Sequence, residues 1–135
     1  HERAGSTNVI HLHGELMKAC SVRDLNTTYP LSPEHPDIHL GDKDPHGNQL
    51  RPFVVWFGEP VPMIEPAIRE VEDSDIFVII GTSLNVYPAA GLLNYVRRGQ
   101  PIYLIDPKEV QTYRTDIEHL QCGASEGVKR LSELL

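Results

Sequence analysis

Five consecutive apolar residues, Ile76, Phe77, Val78, Ile79 and Ile80, constrain the fold more than any other feature of the chain. The run is too short for an ordinary helix and rich in β-branched types. It reads as a strand buried on both faces, the kind found in parallel sheets covered by helices. It stops at Gly81-Thr82-Ser83. In open α/β sheets, ligands bind just past the carboxyl ends of the strands. A Gly-Thr-Ser turn there offers close backbone approach, free N–H groups and two hydroxyls. A plain turn explains the same residues equally well.

The remaining chain extends the alternation. Residues 8–14, "NVIHLHG", read as a short strand ending at a glycine, and residues 51–59, "RPFVVWFGE", as a second buried strand. Met63, Ile64, Ala67, Ile68 and Val71 follow at helical spacing, with prolines suited to the helix start. Residues 88–97 predict a helix with Leu92, Leu93 and Val96 facing inward, and residues 101–106 another strand. A short strand is expected near 117–120. A last helix carries Val128, Leu131, Leu134 and Leu135 inward, with Ser125 placed to cap it. Residues 17–50 are polar, hold Pro30, Pro33, Pro36 and Pro45, and show no sustained period, so they predict an irregular insertion. Strand and helix in alternation predict an α/β fold: a Rossmann-like parallel sheet flanked by helices, interrupted by that insertion. The domain organisation expected is one domain from residues 1–16 and 51–135, with 17–50 as a small module.

Bulk properties narrow the function. A net charge of −7 argues against a general nucleic-acid binder, which carries a basic footprint. No apolar run reaches the length of a membrane span. Two cysteines, Cys20 and Cys122, make no disulfide framework and suit a reducing cytoplasm. The chain starts at His1 in mid-pattern and is expected to be a piece of a longer protein.

Several residues could carry chemistry. In a strand, His11 and His13 would share one face, with Leu12 on the other. They could form a metal pair with Glu15 as third ligand, as in metal-dependent hydrolases. Alternatively His13 alone could act, as a general base at the strand's end. An ordinary hydrogen-bonded histidine fits the pattern too. Cys20 with His35, His39 and His46 could bind zinc, but the Cys-x-x-Cys pair usual in such sites is absent. Asp106 ends a strand, where an acid can accept hydrogen bonds from ribose hydroxyls or simply make a turn. No Gly-x-Gly-x-x-Gly is present, so the usual pyrophosphate loop is missing. "WFGE" and "SLNVYP" could each offer backbone to a peptide laid between them, or be plain loops.

Taken together, "HERAGS", "HLHGE", "RPFVVWFGE", "GTSLNVYPAAG", "LID" and "CGASEGV" resemble, in order, motifs of the sirtuin family, the NAD-dependent protein lysine deacylases. The resemblance covers the C-terminal part of that family, in a bacterial-like, zinc-less form. It implies that His13 is the catalytic base. The acyl oxygen of a modified lysine attacks C1′ of the nicotinamide ribose, nicotinamide leaves, and the histidine takes a proton from a ribose hydroxyl. It implies NAD contacts at Gly81, Thr82, Ser83, Asp106 and Ala124, with Asp106 standing where the family commonly has Asn. It implies that Val55, Phe57 and Val86 line an acyl-lysine tunnel, that Gly58, Glu59 and Asn85 flank the peptide backbone, and that His11 is structural.

Two departures follow. The family's small module normally holds zinc through four cysteines, and this chain has only Cys20 in that region. Residues 17–50 are therefore expected to be zinc-free and held by packing alone. The family's first half, which carries its Gly-Ala-Gly phosphate loop, is not matched, so these 135 residues alone are expected to be inactive. Strand edges left bare by that truncation are expected to support a dimer. Two rivals stand beside this reading: a metal-dependent hydrolase using His11 and His13, and a non-catalytic nucleotide-binding module.

Overall fold

The apolar runs of the C-terminal half become three parallel strands in a computed structural model that describes residues 1–135. The chain divides into two units, His1–Met63 and Ile64–Leu135.

In the second unit, α1 (Ile64–Asp73) precedes β4 (Phe77–Ile80), a 3-10 helix spans Ala89–Tyr95, and β5 (Ile102–Ile105), β6 (Ile117–Leu120) and α2 (Ala124–Leu134) follow. The sheet order is β4-β5-β6, all parallel. Alternation along β5 sends Ile102 and Leu104 to one face, where they form a core with Val71 of α1, Ile79 of β4, and Leu93 and Val96 at the 3-10 helix. Ile105, on the opposite face, meets α2. Burying each such side chain is worth about 1.5–3 kcal/mol. Arg114 donates to the carbonyls of Leu93 and Val96, at 3.3 and 3.1 Å, closing the end of the 3-10 helix. The fold class is α/β with a Rossmann-like parallel sheet.

Four expectations change here. The 76–80 run is not covered on both sides: β4 is an edge strand, and Ile80 is 44% exposed. The strand with no solvent face is β5. Of the 88–97 segment only Ala89–Tyr95 is helical, as a 3-10 rather than an α-helix, although Leu93 and Val96 are buried and Leu92 packs against the core as expected. In α2 the buried residues are Gly127 and Leu131, while Val128, Leu134 and Leu135 are exposed. A Cβ on Gly127 would lie 2.2 Å from Ile105 Cγ2, so the helix sits on β5 through a glycine. That close approach sets which face is inward. Gly123, not Ser125, is the N-cap, and no side chain caps the helix.

The first unit holds β1 (Gly14–Ser21), β2 (Thr28–Pro30) and β3 (Leu50–Val54) in an antiparallel sheet of order β2-β1-β3. The strand expected over 8–14 is not formed. Residues 11–13 turn, Gly14 N–H donating to His11 O at 3.2 Å, and the strand begins where it was expected to end. Residues 17–50 are likewise not wholly irregular, since β1 runs on to Ser21 and pairs with both neighbours. The register on β3 slips between Glu15 and Ala19, a bulge that leaves Leu16 and Met17 exposed. A bulge hides the period-2 pattern from sequence inspection.

The tract is also not held by packing alone. Asp44 is buried and its Oδ1 accepts the backbone N–H groups of His46 and Asn48 at 2.9 and 2.8 Å. Asn48 Nδ2 donates to Asp44 Oδ2 at 3.0 Å, and Asp44 N–H donates to Asn48 O at 2.9 Å. The hydrogen bonds from Asn48, foremost, hold the Asp44 carboxyl below its ordinary range. A carboxyl lowered in the folded state stabilises above its unfolded pKa of about 3.9 and loses that contribution as pH falls through the folded value. Asp44→Ala should therefore lower the thermal midpoint at neutral pH. Its deficit against the unsubstituted chain should shrink below about pH 4, as followed by circular dichroism melts. A deficit unchanged down to pH 2 would contradict this role.

Candidate functional site

Of the residues expected to act, His13 is held through its main chain. It is exposed, at the end of the turn leading into β1, and its carbonyl accepts the Val55 N–H at 2.9 Å. Gly14 follows at φ +91°, and a Cβ there would lie 2.1 Å from Phe53 O. Only glycine lets β1 approach β3 this closely at a left-handed φ. The His-Gly pair thus has a mechanical reason: the glycine brings the histidine's main chain onto the end of β3. His11 is engaged elsewhere, its Nε2 lying 2.9 Å from Glu2 Oε1 and 3.7 Å from Glu15 Oε1. The His11 contact, first of all, pulls the Glu2 carboxyl below its usual range. Glu15 pairs with Lys18 Nζ at 2.6 Å. No group of three or more His, Cys, Asp or Glu side chains is placed to hold a metal ion, at His11 and His13 or around Cys20.

Beyond Val55 the chain turns through residues 56–59. Arg51 and Glu59 form a two-pronged ion pair, Nη1 to Oε1 at 2.6 Å and Nη2 to Oε2 at 3.0 Å. Glu59 Oε2 also accepts the Trp56 N–H at 3.0 Å, and the guanidinium holds the carboxyl below the usual range. Phe57 is 95% exposed and Gly58 turns at φ +89°. An apolar cavity of about 130 Å³ opens beside this end of the sheet, lined among others by His11, Leu12, Phe53, Val54 and Val55. Of the three residues expected to line a tunnel, only Val55 faces it; Val86 lies in the second unit and is half exposed.

In the second unit, Ser83, Asn85 and Asp106 line a common cleft of about 600 Å³ past the carboxyl ends of β4 and β5. Lys108, Glu109 and Gln111 complete its polar wall. The turn after β4 differs from expectation in one respect. Gly81 N–H is not free but continues the ladder to Ile105 O at 2.9 Å, and Thr82 Oγ1 accepts the Leu84 N–H at 3.2 Å. Gly81 and Leu84 both take left-handed φ, 65° and 56°. For a leucine this is an uncommon conformation of the kind found at ligand sites. Asp106 Oδ1 accepts the Lys108 N–H at 2.8 Å, and His119 Nε2 lies 3.0 Å from Asp106 O. Gly81, Thr82 and Ala124 are exposed and stand outside the cleft lining. Asn85 also borders a second cleft, of about 380 Å³, with Tyr87 and Tyr113. Sequence inspection missed Lys108 and His119. The Asp-Pro-x turn after β5 was a usable signal for Lys108, whereas His119 is brought in only by β5–β6 pairing.

A parallel sheet with a polar cleft past its strand ends is the place where open α/β proteins bind ligands. The family assignment is narrower. The model of the Sir2 family matches residues 1–88. An NAD-dependent protein deacylase of Bacteroides thetaiotaomicron is 62% identical over 139 residues, covering 100% of this chain and 59% of its own length. One from Helicobacter pylori is 42% identical over 135 residues, covering 100% and 57%. A crystal structure of a Sir2 homologue–NAD complex superposes with TM-score 0.81 at 39% identity, over 99% of this chain and 53% of that one. Sir2Tm bound to a propionylated peptide gives 0.75 at 32%, over 99% and 59%. This chain belongs to the Sir2, or sirtuin, family, and it spans under two thirds of the length of these relatives.

Gly14→Ala tests the close approach at the candidate base. It should destabilise the chain by about 2–4 kcal/mol, combining strained φ with a backbone clash. Denaturant unfolding reads this directly, and a loss below about 0.5 kcal/mol would remove the steric reason for the glycine.

Proposed function

We propose that this chain is the C-terminal part of an NAD-dependent protein lysine deacylase that moves the acyl group from lysine to ADP-ribose and releases nicotinamide. The observation that carries this reading is the convergence of Ser83, Asn85 and Asp106 on one polar cleft at the strand ends, in a chain of this family. A carboxylate and a hydroxyl there suit ribose hydroxyls, and about 600 Å³ suits a nucleoside portion of NAD. Asp106 accepts the hydrogen bonds that a ribose donates, and the Lys108 N–H and His119 keep its turn in place. NAD supplies an electrophilic ribose carbon that the acyl oxygen captures as nicotinamide departs. His13, exposed and unencumbered by a carboxylate, takes the proton from a ribose hydroxyl. Gly81 and Thr82 contact the same co-substrate, and Ala124 lies near its adenine through its backbone.

The acylated lysine is taken by Val55, Phe57 and Val86, apolar residues that favour a neutral acyl-lysine over an ammonium ion. Gly58, Glu59 and Asn85 border its peptide backbone. Residues 17–50 serve as the small module without a zinc ion, and residues 1–16 with 51–135 belong to the NAD-binding domain. Two free thiols fit a cytoplasmic enzyme, and a net charge of −7 fits one that acts on proteins rather than nucleic acid.

In the full-length protein, His13→Ala should abolish deacylation of an acetylated peptide, while NAD still binds by calorimetry. Retained turnover would refute the base assignment. The 135-residue chain alone should be inactive and should self-associate through the bare edge of β4, where Ile76 and Ile80 are exposed. Light scattering that gives a strict monomer at high concentration would count against the edge pairing.

A further inference from the structure

We propose that Arg51 and Glu59 are positioning residues that clamp the turn over residues 55–59 in its peptide-receiving shape, Glu59 acting through the turn rather than by touching substrate. The inference rests on the deacylase reading and revises the role assigned there to the Glu59 side chain.

The geometry is closed around the carboxylate. Glu59 Oε1 takes Arg51 Nη1 at 2.6 Å, and Oε2 takes Arg51 Nη2 at 3.0 Å and the Trp56 N–H at 3.0 Å. Arg51 Nη2 donates as well to Val54 O at 3.0 Å, and its Cζ lies 6.0 Å from the Trp56 ring centroid. Glu59 N–H returns to Trp56 O at 3.0 Å. Both carboxylate oxygens are thus spent inside the protein, on the start and end of one turn. Arg51 sits within β3 and Glu59 closes the turn, so the pair ties the loop back onto the strand that launches it. The side chains are one fifth and under one third exposed, which limits competition from water. A planar fork on a carboxylate also fixes orientation, which a lysine cannot reproduce. What the clamp presents is an exposed tip, Phe57 and Gly58, on a turn whose first residue, Val55, is bonded to the His13 carbonyl.

The test uses the full-length protein with Arg51→Lys, Glu59→Gln and the double variant. Peptide KM should rise about tenfold in each single variant, the size expected for losing one charge-assisted bidentate contact. KM for NAD should stay within about twofold, and the double variant should be no worse than the weaker single, since the two groups act as one unit. Hydrogen exchange across residues 55–59, read by mass spectrometry without substrate, should accelerate in all three. Unchanged exchange would overturn the clamp. So would a large KM effect for Glu59→Gln with none for Arg51→Lys, which is the pattern of direct substrate contact. If the unsubstituted protein releases no nicotinamide, the deacylase reading fails, while the exchange measurement still decides the clamp.

Discussion

Strand β5 has no solvent face, and the second unit is organised around that fact. Ile102 and Leu104 are sealed by α1 and the 3-10 helix, and Ile105 by α2. A four-residue strand buried on both faces must have its backbone polar groups paired on both edges, and β4 and β6 supply that pairing. Parallel pairing then delivers the ends of β4 and β5 to the same side of the sheet. Ser83 and Asp106 share a cleft because of this, not because of any contact between their own side chains. The same constraint makes Gly127 necessary, since any side chain there would collide with Ile105.

The first unit solves a different problem with backbone and charge. Its antiparallel sheet buries only the end of β1, at Ala19, Cys20 and Ser21, and leaves the rest of its strands partly or fully exposed. Its order comes from a glycine that lets β1 press on β3, a carboxylate that gathers the 44–48 turn, and an ion pair that folds the 56–59 turn back onto β3. Asp44 lies in the polar tract between β2 and β3. Here a side chain supplies through hydrogen bonds the local order that packing of so polar a tract does not. Each device is short in sequence and specific in geometry, and the unit's turns carry the candidate base and the exposed tip at Phe57 and Gly58.

Legibility in the sequence tracked the kind of force at work. Long-period hydrophobic signals were readable: α1, the strand at 102–105 and the strand at 117–120 lie where the pattern put them. The 8–14 segment misled because β-branched and aromatic-like residues before a glycine look like a strand ending. In fact the glycine's positive φ opens the strand. The α2 face misled because periodicity counts leucines and cannot see that a helix may prefer to dock through a glycine. For the candidate site, the family resemblance named His13, Ser83, Asn85 and Asp106, and the last three line one cleft, whereas Gly81 spends its N–H on the sheet.

What the sequence by itself determined is the alternation of strand and helix, the family, and the chemical types at the strand ends. Those follow from apolar period and from short motifs, which are local properties of the chain. Only the tertiary structure decided that β5 rather than β4 is the covered strand, that Glu59 turns inward to Arg51, and that Asp44 knots its own loop. These depend on which edges pair and which groups come within hydrogen-bond reach. Such distances are set by the packed whole, and a one-dimensional pattern does not contain them.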